Sequence, residues 1–214
     1  MKKTLTILAA ALLVLAPVWA KDDDKDLKVS RQEAKTAARQ ARDAEKLLRK
    51  EGFKSFEPGS VSSNLEKYFL KVNAGCGRIV GISTACMSEN LAKLSALANA
   101  ANEYAVLQGG HIRGRIVSSA SSLSGHQVDN LVASFERLVE KDIRGELIPY
   151  ATFYKEKGSQ YSARVYCIVD EEAAAAARRH AMELALSEQA LIDQYGTMVA
   201  DWVGDGFKNK EDMQ

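Results

Sequence analysis

The segment RIVGISTACMSENLAKLSALANAANEYAVLQGGHIRGRIVSS, residues 78–119, decides the predicted fold. Its first part, Arg78–Ile82, is a short apolar run between turn residues, which predicts a strand. After Ser88 the apolar residues recur every three or four positions, which predicts a helix with one apolar face: Leu91, Leu94, Leu97, Ala101, Tyr104 and Leu107. Gly109-Gly110 predicts the end of this helix, and a second extended run follows over residues 112–117. We therefore expect a strand, an alanine-rich helix lying close against a sheet, and a further strand.

Further helices are predicted on both sides of this segment. Ser30-Arg-Gln-Glu33 is a capping box that opens an alanine-rich helix ending at Gly52. A second box, Ser63-Asn-Leu-Glu66, predicts a shorter helix. Residues 128–143 carry the strongest amphipathic pattern of the chain, which predicts a helix that buries one face.

The second half of the chain contains a predicted hairpin and a long helix. Residues 146–156 and 160–170 are β-rich and are joined by Lys157-Gly158-Ser159. In the second run one face is apolar and the other is mixed, which is typical of a sheet with helices on one face. The final helix either breaks at Gly196 or continues to about residue 203. The predicted fold is α+β, with an antiparallel sheet of three to four strands packed by long helices and with an N-terminal helical extension.

The first twenty residues have the pattern of a secretory signal peptide. Lys2 and Lys3 are followed by the apolar run Leu5–Pro17 and by the small residues that a signal peptidase recognises in Val18-Trp19-Ala20. The run is short for a membrane helix, although an uncleaved membrane anchor is the alternative. No cysteine follows it to accept a lipid, and no later segment is apolar for long enough to cross a bilayer. We therefore expect a periplasmic protein with no integral membrane span after signal cleavage.

The rest of the chain is expected to form one main domain. Residues 21–29 are predicted to be a polar tether, and residues 30–59 an N-terminal helix with an extended segment. Residues 60–205 are the α+β domain, and residues 206–214 are expected to be a disordered tail.

Charge and cysteine content exclude several function classes. The chain of 214 residues has a formal charge of +1, and cleavage after residue 20 removes Lys2 and Lys3 and leaves −1. A near-neutral chain lacks the positive field that nucleic-acid binding requires. Cys76, Cys86 and Cys167 form an odd set with no metal-binding spacing, so we expect neither a metal nor a cofactor. A disulfide between Cys76 and Cys86 would require the predicted strand between them to fold back, and whether any two cysteines pair stays open.

No catalytic residue can be assigned, and the candidate site is an interaction surface. Ser121, Ser122, Ser124 and His126 follow one another, but no third group that would orient a nucleophile is apparent. The tentative interaction surface consists of aromatic residues on the hairpin and in the tail: Tyr150, Tyr154, Tyr166 and Trp202. Aromatic residues in paired strands lie in a core more often than on a binding surface, and self-packing of Trp202 is the alternative.

The pattern of small and apolar residues resembles a known family. The run Arg78-Ile-Val-Gly-Ile-Ser83, followed by residues 91–105, is similar to the lipoprotein-20-type envelope family and to the N-terminal domain of flagellar assembly protein T. The resemblance covers residues 50–190 as an order of elements, and secreted Bacteroidetes proteins share the layout and an "EGFKSFEPG"-like segment, here Glu51–Gly59. It implies an α+β fold in the cell envelope without known enzymatic activity. The lipidated cysteine of the lipoprotein members is absent here.

Together these features predict a non-enzymatic periplasmic cell-envelope protein that acts as a structural or protein-interaction module. Its partner would be another envelope protein, bound through a helix face or a sheet edge, and a homo-oligomer stays open. The alternative is a small-ligand or peptidoglycan-binding module that uses aromatic residues of the 146–170 hairpin: Tyr150, Phe153, Tyr154, Tyr161 and Tyr166.

Overall fold

The computed structural model describes residues 30–57, 60–120, 122–143 and 146–203, without the side chains of residues 142, 200 and 201. The predicted signal peptide, tether and C-terminal tail lie outside these residues. Within them, no helix combines the length and the apolar character that a membrane span requires.

Helices and strands follow one another in an α+β arrangement, which confirms the predicted fold class. The helices are α1 (Arg31–Lys50), α2 (Val61–Asn73), α3 (Glu89–Ser119), α4 (Gly125–Asp142), α5 (Glu171–Glu188), α6 (Ile192–Tyr195) and α7 (Val199–Val203). A 3₁₀ turn, Gly196–Met198, precedes α7. The strands are β1 (Lys54–Ser55), β2 (Arg78–Cys86), β3 (Leu147–Lys157) and β4 (Gln160–Val169).

The four strands form one antiparallel sheet in the order β1-β3-β4-β2. The predicted hairpin is confirmed, because β3 and β4 pair from Leu147↔Val169 to Lys157↔Gln160. Gly158 has a φ of 64° in the turn, a left-handed conformation that glycine adopts without strain. β2 pairs with β4 and forms one edge of the sheet.

Helices cover both faces of this sheet, and not one face as the alternation in β4 suggests. On the first face α3 packs on β2 and β4, and α4, α5 and α7 complete a large core that contains Val165 and Cys167. On the second face the N-terminal helical extension packs with α2 over Ala151 and Phe153. The mixed face of β4 is therefore a second, smaller core.

The expected close approach of α3 to the sheet is present at Gly81. A Cβ atom at this position would overlap the carbonyl oxygen of Ala96 and lie 2.8 Å from the Cβ of Ala100. Ser83 Oγ donates a 2.6 Å hydrogen bond to the carbonyl of Ala92 and accepts one of 3.2 Å from the backbone N–H of Ala163. The contact face of α3 therefore consists of buried alanines. The predicted apolar face is wrong at Leu91, Leu94 and Leu107, which are exposed, whereas Ala101 and Tyr104 are buried as predicted.

The predicted strand over residues 112–117 is also wrong, because α3 continues through both glycines to Ser119. Glycine weakens a helix by about 1 kcal/mol relative to alanine, which is small against the burial of Ile112 and Ile116. The side chain of Glu136 occupies the space beside Gly109, where a Cβ would overlap its carboxylate. Tertiary packing against α4 therefore outweighs the local stop signal.

Local capping contacts and backbone conformation define three helix termini for which the sequence made a prediction. The capping box of Ser30 and Glu33 is present, with hydrogen bonds of 2.8 and 3.2 Å. The side chain of Ser60, and not that of Ser63, caps α2. The last long helix ends at Glu188 because Ala190 adopts a φ of 53°, whereas Gly196 keeps a right-handed conformation.

We expect Gly81→Ala to lower the free energy of unfolding by about 3 kcal/mol, because the added methyl group would meet backbone atoms of α3 that cannot move independently. Gly114→Ala is the matched control. Among the described residues nothing lies within 4 Å of its added Cβ, so the change should stabilise the helix by roughly 0.5–1 kcal/mol. Urea unfolding of dilute protein measures both values, and equal midpoints for Gly81→Ala and the wild type would contradict the close contact.

Candidate functional site

Helix α3 is longer than either of the elements that cover it. Its 31 residues span about 46 Å, whereas the 18 residues of α4 span about 27 Å. The sheet covers one side of the first half of α3, and α4 covers the opposite side of the second half. Each side of α3 is therefore buried over only part of its length.

The side that α4 covers has an apolar continuation that is exposed. In steps of three and four residues this side carries Leu91, Leu94, Ala98, Ala101, Ala105, Gly109, Ile112 and Ile116, and Met87 lies just before the N-cap of the helix. The residues from Ala101 onward are buried, whereas Met87 and Leu94 are 88% and 64% exposed and Leu91 is also exposed. We call Met87, Leu91 and Leu94 the outer patch. Leu91 and Leu94 thus lie at the exposed end of an apolar side of α3 whose other residues are buried in the core.

The side that faces the sheet shows the reverse arrangement. Ala92, Ala96 and Ala100 are buried on the strands, and the same side continues past the end of the sheet. There it presents Leu107, Gly110, Gly114 and Val117, all of them exposed. We call these four residues the inner overhang.

The edge of the sheet at β2 is closed in part by α3. Asn99 Nδ2 donates a 2.6 Å hydrogen bond to the carbonyl of Ile82, a group that an added strand would need. The Ile82 side chain is exposed beside it. The outer patch is therefore a better candidate docking surface than this edge.

The most deeply buried charge has a structural role. Arg178 of α5 is fully buried, donates a hydrogen bond to Tyr104 Oη on α3, and forms a 2.5 Å ion pair with Glu171. Burial raises the pKa of Tyr104, so its hydroxyl stays protonated at neutral pH. This network holds α5 against α3, and it reaches the surface at Glu171, whose side chain is 46% exposed.

The four residues of the predicted interaction surface do not form one surface. Trp202 is 1% exposed and packs with its ring 5.8 Å from that of Tyr195, so self-packing of the tail is the correct alternative. Tyr166 lies in the second core, edge-on to Tyr68 at 5.4 Å, and burial raises its pKa. Tyr154 instead packs edge-on against Phe56, and Tyr150 is half-buried at an irregularity of β3.

The hairpin aromatics offer a small-ligand site four half-buried rings, of which Tyr154 and Tyr166 pack against different aromatic neighbours. Phe153 is fully buried, whereas Tyr154 and Tyr161 are half-buried, and the hydroxyl of Tyr161 donates to Glu156 at 3.3 Å. A shallow groove of about 310 Å³ lies elsewhere, on the exposed side of α5: Glu172, Ala175, Ala176, Arg179, His180 and Glu183. Within the described part of the chain, no group of three acidic, histidine or cysteine side chains is placed to hold a metal ion.

The serines and the histidine that follow α3 have local partners. Ser124 Oγ caps α4 by accepting from the backbone N–H of Gln127. Ser122 shares a hydrogen bond with the hydroxyl of Tyr195, and His126 lies 3.4 Å from the amide of Asn130. Ser121 lies outside the described residues. These contacts order the α3–α4 connection and do not assemble a nucleophile with a base.

Comparisons with protein-family models, with curated protein sequences and with solved structures find no match to this chain. The resemblance to the lipoprotein-20-type family therefore stays a prediction.

We expect thiol reagents to modify Cys76 and Cys86 in the native protein but not Cys167. All three are free; the first two are partly exposed, and Cys167 is buried under α3. Burial raises the pKa of the Cys167 thiol from 9.0 to about 12, so the reactive thiolate is scarce. Because the folded state favours the protonated thiol, the raised pKa of Cys167 also affects the free energy of unfolding. Its stabilising contribution is complete below pH 9.0 and is lost as the pH rises towards 12.

Mass spectrometry after brief maleimide treatment identifies the modified residues. A Cys167→Ala variant should give the same adduct count as the wild type when both are folded. In denaturant the wild type should carry one more maleimide adduct per chain than the Cys167→Ala variant. Rapid native modification of Cys167 would contradict the position assigned to β4.

Proposed function

We propose that this chain is a non-enzymatic interaction module of the bacterial cell envelope that is exported to the periplasm. Its outer patch would hold an apolar segment of another envelope protein. The export part of the proposal rests on the signal pattern of residues 1–20, which lie outside the described residues.

The observation that carries this proposal is the exposure of Leu91 and Leu94 in line with a buried stripe of α3, with Met87 exposed just before the helix. Isolated exposed apolar residues are ordinary, but two leucines on one side of α3, with an exposed methionine just before the helix, form a group of the kind that marks docking surfaces. A partner helix could pack on the same side of α3 as α4, next to the end of α4. It would bury Leu91 and Leu94, which α4 does not cover. Each leucine or methionine buried in this way contributes roughly 1.5–3 kcal/mol before the costs of association.

The non-enzymatic part of the proposal is supported by how the polar residues are used. The candidate nucleophiles and the candidate base near α4 have the local partners described above, and Ser124 is committed to a helix cap. Arg178 is buried and contacts Tyr104 and Glu171. These groups stabilise the fold, whereas the side chains left at the surface in a coherent arrangement are apolar.

A photo-reactive amino acid in place of Leu94 tests the docking surface in the full chain, expressed in its own cell envelope. We expect one discrete crosslinked partner from position 94. The same amino acid at Leu47, which is 60% exposed on α1, is the matched control and should not yield this species.

Leu91→Asp should then abolish the crosslink from position 94, because it places a charge in the apolar contact. Leu91 is exposed, so we expect the free energy of unfolding to change by no more than about 0.5 kcal/mol. Equal crosslinking from positions 47 and 94, or a crosslink that survives Leu91→Asp, would reject the outer patch as the docking surface.

A further inference from the structure

The outer side of α1 carries a continuous row of basic residues, which we call the basic stripe. Its members recur in steps of three and four residues, and all of them are exposed: Arg31, Lys35, Arg39, Arg42, Lys46, Arg49 and Lys50. At 3.6 residues per turn they fall within an arc of about 100° and extend over about 28 Å of the helix. The buried residues Ala37, Ala41 and Leu48 lie on nearly the opposite side.

The positive charge of the chain is concentrated in this one helix. Its seven Lys and Arg residues against three Asp and Glu residues give α1 a formal charge of +4, whereas the other residues of the chain together carry −3. The three acidic residues lie outside the arc of the stripe: Glu33 closes the capping box, Asp43 lies beside the edge, and Glu45 pairs with Arg49 at 2.6 Å. Among the described residues, the other six members of the stripe have no ion-pair partner.

The basic stripe is unfavourable for the helix that carries it. Lys46 has Arg42 and Lys50 one turn away on either side, and Lys35 is flanked by two arginines in the same way. Like charges four residues apart destabilise a helix, whereas a glutamate at either lysine position would form opposite-charge pairs. The stripe therefore lowers helix stability, and folding alone does not explain it.

Helix α1 is the outermost layer on the second face of the sheet. It packs mainly on α2, and the sheet, α3 and α4 lie behind these two helices. Interactions between exposed charges are screened beyond about 8 Å at physiological ionic strength. A partner on the outer side of α1 therefore interacts with the basic stripe and is little affected by the negative charge behind it.

The shape of the basic stripe matches a flat anionic surface. The stripe is straight, and no apolar side chain lies within its arc, so contact would be made by charge and without insertion. A nucleic acid is matched less well, because the negative charge of the remaining chain opposes a polyanion that reaches beyond the stripe.

We propose that the basic stripe of α1 binds the anionic phospholipid headgroups of a bilayer, so that the chain lies peripherally on the membrane surface. Each Lys or Arg near an anionic bilayer strengthens such binding roughly fivefold. The outer patch belongs to α3, on the other face of the sheet, and would point away from the bilayer. Membrane binding through α1 thus leaves the outer patch accessible to a partner.

Co-sedimentation with vesicles measures this binding for the chain as purified from its own cells. Vesicles of equal parts phosphatidylglycerol and phosphatidylcholine are anionic, and vesicles of phosphatidylcholine alone are the neutral control. We expect the wild type to bind the anionic vesicles at about 0.1 M salt and to dissociate at about 1 M salt, because the Debye length falls from about 10 Å to about 3 Å. Binding to the neutral vesicles should be weaker by at least about tenfold.

Charge reversal within the stripe tests which residues bind. Lys35→Glu combined with Lys46→Glu should lower the partition coefficient by at least about tenfold. Urea unfolding should show no loss of stability, because both glutamates gain basic neighbours one turn away. Lys35→Arg combined with Lys46→Arg keeps the charge and should bind like the wild type.

The matched control is Lys141→Glu combined with Arg179→Glu. It makes the same change in net charge at exposed positions of α4 and α5, on the other face of the sheet, and should bind like the wild type. Every variant has the same N-terminus, so the apolar run of residues 5–17 cannot cause a difference between them.

Four results would overturn the proposal: equal binding to anionic and neutral vesicles, binding that persists at about 1 M salt, a glutamate variant of the stripe that binds like the wild type, and a control variant that loses binding equally. Tighter binding to a short DNA duplex than to anionic vesicles at the same salt concentration would assign the stripe to nucleic acid instead. Leu91→Asp should leave vesicle binding unchanged, so this proposal and the outer patch can fail separately.

Discussion

The contact between Gly81 of β2 and the backbone of α3 sets the geometry of the whole molecule. Because a strand glycine meets helix alanines there, the backbones of β2 and α3 are in close contact and the helix has little freedom to slide. Ser83 locks the same region by bonding both Ala92 and Ala163. A helix of 31 residues fixed near its first half must project with its second half. The two uncovered surfaces of α3 follow from this one constraint.

The sequence was sufficient to predict the elements whose stability is local or strongly periodic. The Ser30 capping box, the hairpin around Gly158 and the amphipathic α4 are all present. Within α3 the leucine spacing led to a wrong prediction of the buried face. The glycine of β2 is contacted by alanines of α3, and Leu91 and Leu94 are exposed. Gly109 and Gly110 look like a stop signal, but the partner that outweighs it, α4, follows later in the chain. The continuation of α3 through the two glycines therefore depends on tertiary packing, which a local sequence pattern cannot predict.

The candidate site was predicted less well than the fold, and for a related reason. Alanine-rich helices leave volume that large rings must fill, so Tyr166 enters the second core and Trp202 the first. The aromatic residues that looked like a binding surface are thus structural. The outer patch could have been found by continuing the apolar steps of α3 from Leu94 through Ala101 to Ile112, past the glycines. That continuation becomes informative only once the length of α4 is known.

One rigid helix connects the outer patch and the inner overhang. Leu94 and position 112 are about 27 Å apart along α3, and the buried Arg178–Tyr104 contact braces the helix between them. A partner bound at the outer patch and any occupant of the inner overhang would therefore lie at a fixed separation on opposite sides of α3. The constraint that fixes the first half of α3 on the sheet thus also determines where the helix exposes its apolar side chains.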